Sequence, residues 1–395
     1  MIDPKMISLA GGLPNLKTFP ITNFSFTMKT NDGEKLVEFS QEELNAALQY
    51  SATQGMPPLV KQIKGLQSHI HKPPYEDWDI LVTTGSQSAL YKAFVSLLNE
   101  NDTILVENPT YSGALSGLNP LNLNVLSVHV DDKGIIPSEL EKVLSKLKNP
   151  PKFLYTIPTG QNPAGVTTCE ERKREIYELA MAYDFLILED DPYYYLNFKN
   201  DSQNVKDNLT RSYMSIDHDQ RVLRFDSFSK IISSGLRMGF VSGPKELITQ
   251  LNLHQQACDL HASGLSQMCL ASVFQNWGEN YAGFFNHLHM VQSFYRQRGK
   301  VFCELIDKHL GDLVSYNKPV AGMFVWLKLN GFEDTSELIE EKAKDEGVLL
   351  VPGRSFDPHD TPSQYVRASY SMASDEDMEE ALIRLKSLIL KNKSE

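Results

Sequence analysis

The sequence predicts an α/β protein with a large domain, built on a mainly parallel seven-stranded sheet flanked by helices, and a smaller α+β domain. Three observations carry this. From about residue 40 to 275, short β-rich runs alternate with runs of helical period. The β-rich runs are Val-, Ile- and Leu-rich without polar alternation, as expected of strands buried on both faces. Beyond residue 280 the pattern changes to one long amphipathic helix followed by two strand-like runs.

The expected strands of the large domain are DILVTT (79–84), TILVEN (103–108), VLSVHV (125–130), FLYTIP (153–158), FLILED (185–190), VLRFDS (222–227) and MGFVSG (238–243). Between the first two, Ala89, Leu90, Ala93, Phe94, Leu97 and Leu98 recur with helical period, and Ile176, Leu179, Ala180 and Tyr183 do so within 170–183. Phe284, Leu288, Val291, Tyr295, Phe302 and Leu305 mark the long helix, which is placed as a bridge between domains. GMFVWLKL (322–329), a helix around 335–346 and YVRASYS (365–371) complete the small unit. The first forty residues read as loop-rich, with GGLPN (11–15) as the main turn signal. The expected division is residues 1–40 joining the small domain, 41–280 as the large domain, and 281–395 as bridging helix and small domain.

A chain of 395 residues, with 41% hydrophobic and 22% charged residues, is long enough for two packed units without disulfide staples. The formal net charge of −12 argues against a general nucleic-acid or anionic-membrane binder. Cys169, Cys258, Cys269 and Cys303 lack C-x-x-C spacing, so neither a disulfide framework nor a metal site is expected. No apolar run approaches the length of a membrane span. The start, MIDPKMISLAGG, reads as neither signal nor transit peptide, so the expected compartment is the cytoplasm, or mitochondria if a leader precedes it.

Four short stretches could carry chemistry. TTGSQSAL (83–90) turns from a strand into a helix at Gly85, where free amides and the Ser86 hydroxyl suit a phosphate; a simple serine cap is the bland reading. PTGQNPAG (158–165) is a rigid loop beyond a strand end, where open α/β sheets place ligands, and Asn162 could bond a ring oxygen or carboxylate; plain turn chemistry fits as well. EDDPYYYL (189–196) ends an apolar strand with two aspartates, which are costly to bury unless a cation or donor meets them. DSFSKIISSGLRMGF (226–240) sets Lys230 after Ser227 and Ser229, with Arg237 seven residues on. A partly desolvated lysine near another cation has a lowered pKa and can form a Schiff base, while hydroxyls and a guanidinium hold a phosphate. A solvated loop lysine is the plain alternative.

G-S-Q after a strand, N-P-x-G, D-x-x-Y and S-x-S-K-x-x-x-x-G-x-R, in this order, resemble the pyridoxal-phosphate-dependent class I aminotransferases of fold type I. The likeness covers nearly the whole chain. It extends to the kynurenine/α-aminoadipate branch through SLAGGLPN (8–15), LQYSATQG (48–55), AGMFVW (321–326) and YVRAS (365–369).

The resemblance implies that Lys230 binds pyridoxal 5′-phosphate and shuttles the substrate proton, and that Asp190 pairs with the pyridinium nitrogen. It implies Tyr193 and Asn162 at the ring hydroxyl, and Tyr111 on the ring face. Ser86, Gln87, Ser227, Ser229 and Arg237 would hold the phosphate, joined by Tyr50 from the second subunit of a homodimer whose active sites lie at the subunit interface. Gly12, Asn162 and Arg367 would bind substrate, Arg367 by its α-carboxylate. The partners implied are an L-amino acid (kynurenine, 2-aminoadipate, aromatic or large aliphatic) and a 2-oxo acid such as 2-oxoglutarate, turned over by ping-pong kinetics. Two departures stand out: Ala164 where relatives commonly have threonine, and a shorter leader than relatives that use it to cover the site. Two other readings are a β-lyase using the same carbanion chemistry and a cofactor-binding sensor without turnover.

Overall fold

The computed structural model describes residues 12–30, 33–200, 202 and 204–393, so Ser8–Gly11 of the SLAGGLPN motif lie outside the described residues. The large sheet uses β3 (Trp78–Thr84), β4 (Thr103–Asn108), β5 (Asn124–Asp131), β6 (Gly134–Ile135), β7 (Phe153–Thr156), β8 (Leu186–Asp190), β9 (Val222–Ser227) and β10 (Met238–Pro244), following an N-terminal hairpin of β1 (Ser25–Thr30) and β2 (Gly33–Glu38). Strand order is β3-β10-β9-β8-β7-β4-β5-β6. Strands β4, β5, β7, β8 and β9 pair in parallel, whereas β10 runs antiparallel to both β3 and β9. All seven expected strands are present. The eighth, β6, is a two-residue antiparallel edge on β5, too short to leave a periodic signal.

The continuous apolar runs serve two cores. Ile104, Val106, Phe153, Tyr155, Leu188 and Leu223 face one. Their neighbours Leu105, Leu154, Ile187 and Val222 face the other. The strand alternation is therefore intact; it is hidden in the sequence because both faces are apolar. After the short α1 (Gln41–Leu48), the first core takes residues from α2 (Pro57–Ile70), α3 (Ser86–Leu97), α4 (Ser112–Leu118), α7 (Lys245–Cys258) and α8 (Gly264–Asn276). The second is capped by Leu140 and Leu144 of α5 (Pro137–Leu144) and Ile176, Tyr177 and Ala180 of α6 (Glu170–Ala182).

The long helix α9 (Ala282–His309) buries Phe284 and Leu288 near its start and Phe302 and Ile306 near its end, joining the first core throughout. A four-stranded sheet follows, with β11 (Val314–Ser315), β12 (Phe324–Leu329), β13 (Val351–Pro352) and β14 (Tyr365–Ser369) in the order β11-β12-β14-β13. The helix expected near 335–346 winds as a π-helix over Leu338–Lys342. A C-terminal helix, Asp375–Asn392, is capped by Ser374 and closes the small unit with Met378, Leu382 and Leu385.

The loop-rich reading of the first forty residues differs from the structure, where β1 and β2 pair antiparallel from Ser25↔Glu38 to Thr30↔Gly33. Met28 and Val37 pack on Val273 and Trp277, on the large-sheet side. The hairpin left its trace in an Asn-Asp-Gly turn signal between two six-residue runs. Only one buried side chain per strand made the alternation weak. Among the described residues, no helix is long and apolar enough to cross a membrane.

Candidate active site

Strands β3, β7, β8 and β9 end on one side of the large sheet, and the turns that follow them converge with the small sheet on a cavity of about 440 Å³. Its walls carry Ser86, Gln87, Tyr111, Asn162, Asp190, Tyr193, Ser227, Ser229, Lys230, Arg237 and Arg367. Eleven residues singled out from separate stretches thus meet in one place. Tyr50 and Gly12 do not line it: Tyr50 is exposed with its ring edge-on to His261, and Gly12 is also exposed.

Backbone form explains the phosphate-sized corner. Gly85 caps α3 with φ of 75° and offers no side chain, so the first-turn amides have no side-chain acceptor. Ser86 is consequently the first helical residue, and not the cap. A Cβ on Gly85 would stand 2.4 Å from Arg237 Nη2, and one on Gly239 would stand 2.5 Å from Ser86 N. Two bare α-carbons let a guanidinium and a helix N-terminus close on the same point. Arg237, itself at φ of 53°, is aimed by bonds from Nη1 to Ser229 Oγ (3.3 Å) and Ser234 O (3.1 Å). Ser227 Oγ accepts from Ser229 N (3.2 Å), and Gln87 Nε2 donates to Gly113 O (2.9 Å).

Lys230 sits in the turn after β9, half-buried and without an ion-pair partner among the described residues. Burial first, then Arg237 and Arg367, lower its pKa. Asp190 is buried at the end of β8, where burial pushes its carboxyl up to about 7 against the hydrogen bond from Tyr155. Tyr155 Oη donates to Asp190 Oδ2 (2.8 Å), while Oδ1 is buried with no partner. An unmet, buried carboxylate oxygen facing a cavity is a site for a protonated nitrogen. Tyr193 is buried, with its ring edge on Phe324 (6.0 Å), and burial and Asp190 raise its pKa.

The small sheet contributes Arg367. Val366, Ala368 and Tyr370 bury one face of the strand, leaving Arg367 on the other. Its guanidinium lies over Phe324 (4.3 Å) and Phe356 (5.0 Å), and Nη1 donates to Asn162 Oδ1 (2.9 Å). Stacking plus one amide bond fixes the plane and leaves the remaining donors for a carboxylate.

The residues fit a phosphate-bearing pyridine: a cationic corner with free helix amides, an amine of lowered pKa, and an orphan carboxylate oxygen. Sequence reasoning missed Tyr155 and Phe324. Tyr155 was signalled only by a hydroxyl inside the apolar strand FLYTIP, and Phe324 looked like any core aromatic.

The architecture and the cavity define an enzyme built to hold an aldehyde-bearing phosphate cofactor. The family model of aminotransferases of class I and II matches residues 28–385. The chain belongs to that family, whose cofactor is pyridoxal 5′-phosphate, and it is an aminotransferase. It is 43% identical to the mitochondrial kynurenine/alpha-aminoadipate aminotransferase of Bos taurus, over 97% of this chain and 92% of that protein. An aromatic amino acid aminotransferase of Dictyostelium discoideum is 36% identical over 98% of this chain and 83% of its own length. Among solved structures, aminotransferase Aro8 of Candida albicans superposes with a TM-score of 0.91 at 29% identity, covering 100% of this chain and 94% of that one. The kynurenine aminotransferase of Pyrococcus horikoshii, solved with PMP, gives 0.81 at 30% identity, covering 97% and 90%.

Proposed function

We propose that the cavity works between residues 41–280 and 281–395 to move an amino group from L-kynurenine, L-2-aminoadipate or an aromatic donor to a 2-oxo acid, with 2-oxoglutarate as acceptor. The observation that carries the reading is the meeting of Lys230, Arg237, the orphan oxygen of Asp190 and Arg367 around one cavity. Bound there, the cofactor supplies an aldehyde for the amine and a ring that takes up the electron pair left at the substrate Cα.

The chain's own residues do the rest. Ser86, Gln87, Ser227, Ser229 and Arg237 hold the phosphate. Asp190 would hold the pyridine N–H, and Tyr155 keeps Oδ2 from turning away. Tyr111 covers a ring face, while Tyr193 and Asn162 stand at the ring oxygen. Arg367 would clamp the substrate α-carboxylate. Lys230 Nζ would take and hold the proton from the substrate Cα, and its lowered pKa keeps part of it neutral for that at neutral pH. Donor and acceptor use the same cavity in turn, so kinetics are ping-pong.

In the homodimer we propose, the exposed Tyr50 of each copy reaches the phosphate of the other. We place the protein in the cytoplasm or, where a leader precedes it, in mitochondria, as the bovine relative's name says of that protein. The test is an initial-rate panel of amino donors against 2-oxoglutarate. Turnover of L-kynurenine, L-2-aminoadipate or aromatic donors is expected. A preference for short aliphatic donors, with none of these accepted, overturns the substrate reading and leaves the family intact.

A further inference from the structure

Glu107, next to last in β4, is fully buried beside the cavity and does not line it. Its Oε1 accepts from Thr156 Oγ1 (2.6 Å), and its Oε2 accepts from Ile157 N (3.1 Å) and Gln161 Nε2 (3.0 Å). Gln161, equally buried, also donates from Nε2 to Pro109 O (2.7 Å) and accepts at Oε1 from Ala164 N (2.7 Å). One carboxylate and one amide therefore tie together the end of β4, the end of β7 and both loops that follow. The β4 loop carries Tyr111, and the β7 loop carries Asn162. Tyr111 is the cap residue of α4 and Asn162 lies in a turn, so each loop is short and its strand-side end is set by this bridge. Glu107 is met by no cation among the described residues, and burial pushes its carboxyl up to about 7. A buried acid so placed is costly unless its hydrogen bonds return something.

We infer that Glu107 is a positioning residue, which through Gln161 holds Tyr111 and Asn162 at the spacing the cofactor ring needs. The inference rests on the roles proposed above for those two residues. A bridge built from hydrogen bonds, and not from charge, makes a specific demand on substitutions. In Glu107→Gln the amide oxygen can accept both N–H groups while its nitrogen donates to the Thr156 hydroxyl, so the bridge survives. Glu107→Ala removes the anchor. Gln161→Ala cuts the link between the loops and leaves Glu107 two donors.

The test measures the cofactor dissociation constant by fluorescence titration, the amino-donor KM and kcat, and the melting temperature with and without cofactor. Gln161→Ala and Glu107→Ala are expected to weaken cofactor binding and raise KM by about tenfold or more, the scale of a lost hydrogen bond to a charged group, with kcat changed less. Glu107→Gln is expected to restore wild-type values. The inference falls if Gln161→Ala lowers the melting temperature alone, with dissociation constant and KM unchanged. It falls equally if Glu107→Gln is as weak as Glu107→Ala, because charge would then be the cause. Lys230→Ala serves as the separate control: continued multiple turnover in it overturns the reading of the site, whereas cofactor binding in the Gln161 and Glu107 variants still reports on the bridge.

Discussion

Asp190 and Asp191 are adjacent in sequence, equally buried, and placed in opposite circumstances. Asp191 turns to Arg224 Nη1 (3.1 Å) and Thr159 Oγ1 (3.2 Å). The fully buried Arg224 also meets Glu189 (3.1 Å) and Asp226 (2.9 Å), so the acids behind the site share one cation. Asp190 turns to the cavity, has only the Tyr155 hydroxyl, and makes no ion pair among the described residues. Asp191 Oδ1 is also buried without a hydrogen-bond partner, but its carboxylate is already paired to Arg224 through Oδ2, whereas Asp190 has no cation and lines the cavity. One aspartate of the pair is part of the scaffold, and the other is held ready for a cation that arrives with a ligand.

The strongest challenge to this contrast is Lys230→Ala, which removes the amine from the open side. Its kcat is expected to fall by at least about 10³-fold, with the melting temperature little changed, because a general acid–base contributes on that scale. Arg224→Met tests the closed side. Leaving buried carboxylates without their cation should cost about 3–5 kcal/mol of stability, read by urea or thermal unfolding, before any effect on chemistry is separable. Asp190→Asn should lower kcat by on the order of 10²-fold while leaving stability near wild type, since an electrostatic partner of the reacting system is lost. The contrast breaks if Asp190→Asn unfolds the protein and Arg224→Met does not. Arg367→Lys should act mainly on donor KM, by about 10-fold or more, because a lysine keeps the charge and loses the planar fork and the stack on Phe324. Tyr155→Phe is the finest probe: a few-fold loss in cofactor affinity is expected from a single hydroxyl worth about 1 kcal/mol.

The parts of the site that were legible are those whose residues break a local rule. Asp190 and Asp191 end an apolar strand, Lys230 sits among serines, and Gly85 and Asn162 follow strand ends; each is a conflict that chemistry resolves. Glu107 breaks the same rule at the end of TILVEN, yet no neighbouring motif drew attention to it. Gln161 lay inside a stretch read for its Asn162. Tyr155 and Phe324 break no rule at all, since an aromatic residue in a buried strand is ordinary core. The hairpin of Ser25–Thr30 and Gly33–Glu38 was lost because its strands are mostly exposed and bury little to impose a pattern.

By itself, the sequence determined the α/β class, the seven long strands of the large sheet, the long helix after residue 280 and the order of the chemical motifs. These follow from hydrophobic period and turn residues, which act over a few positions. Tertiary structure decided which aspartate Arg224 neutralises and which stays open. It also set Arg367 against Asn162, 205 residues away, and joined two loops through Glu107 and Gln161. Those outcomes depend on which strand ends the sheet order makes neighbours, and strand order is fixed by packing across the whole chain.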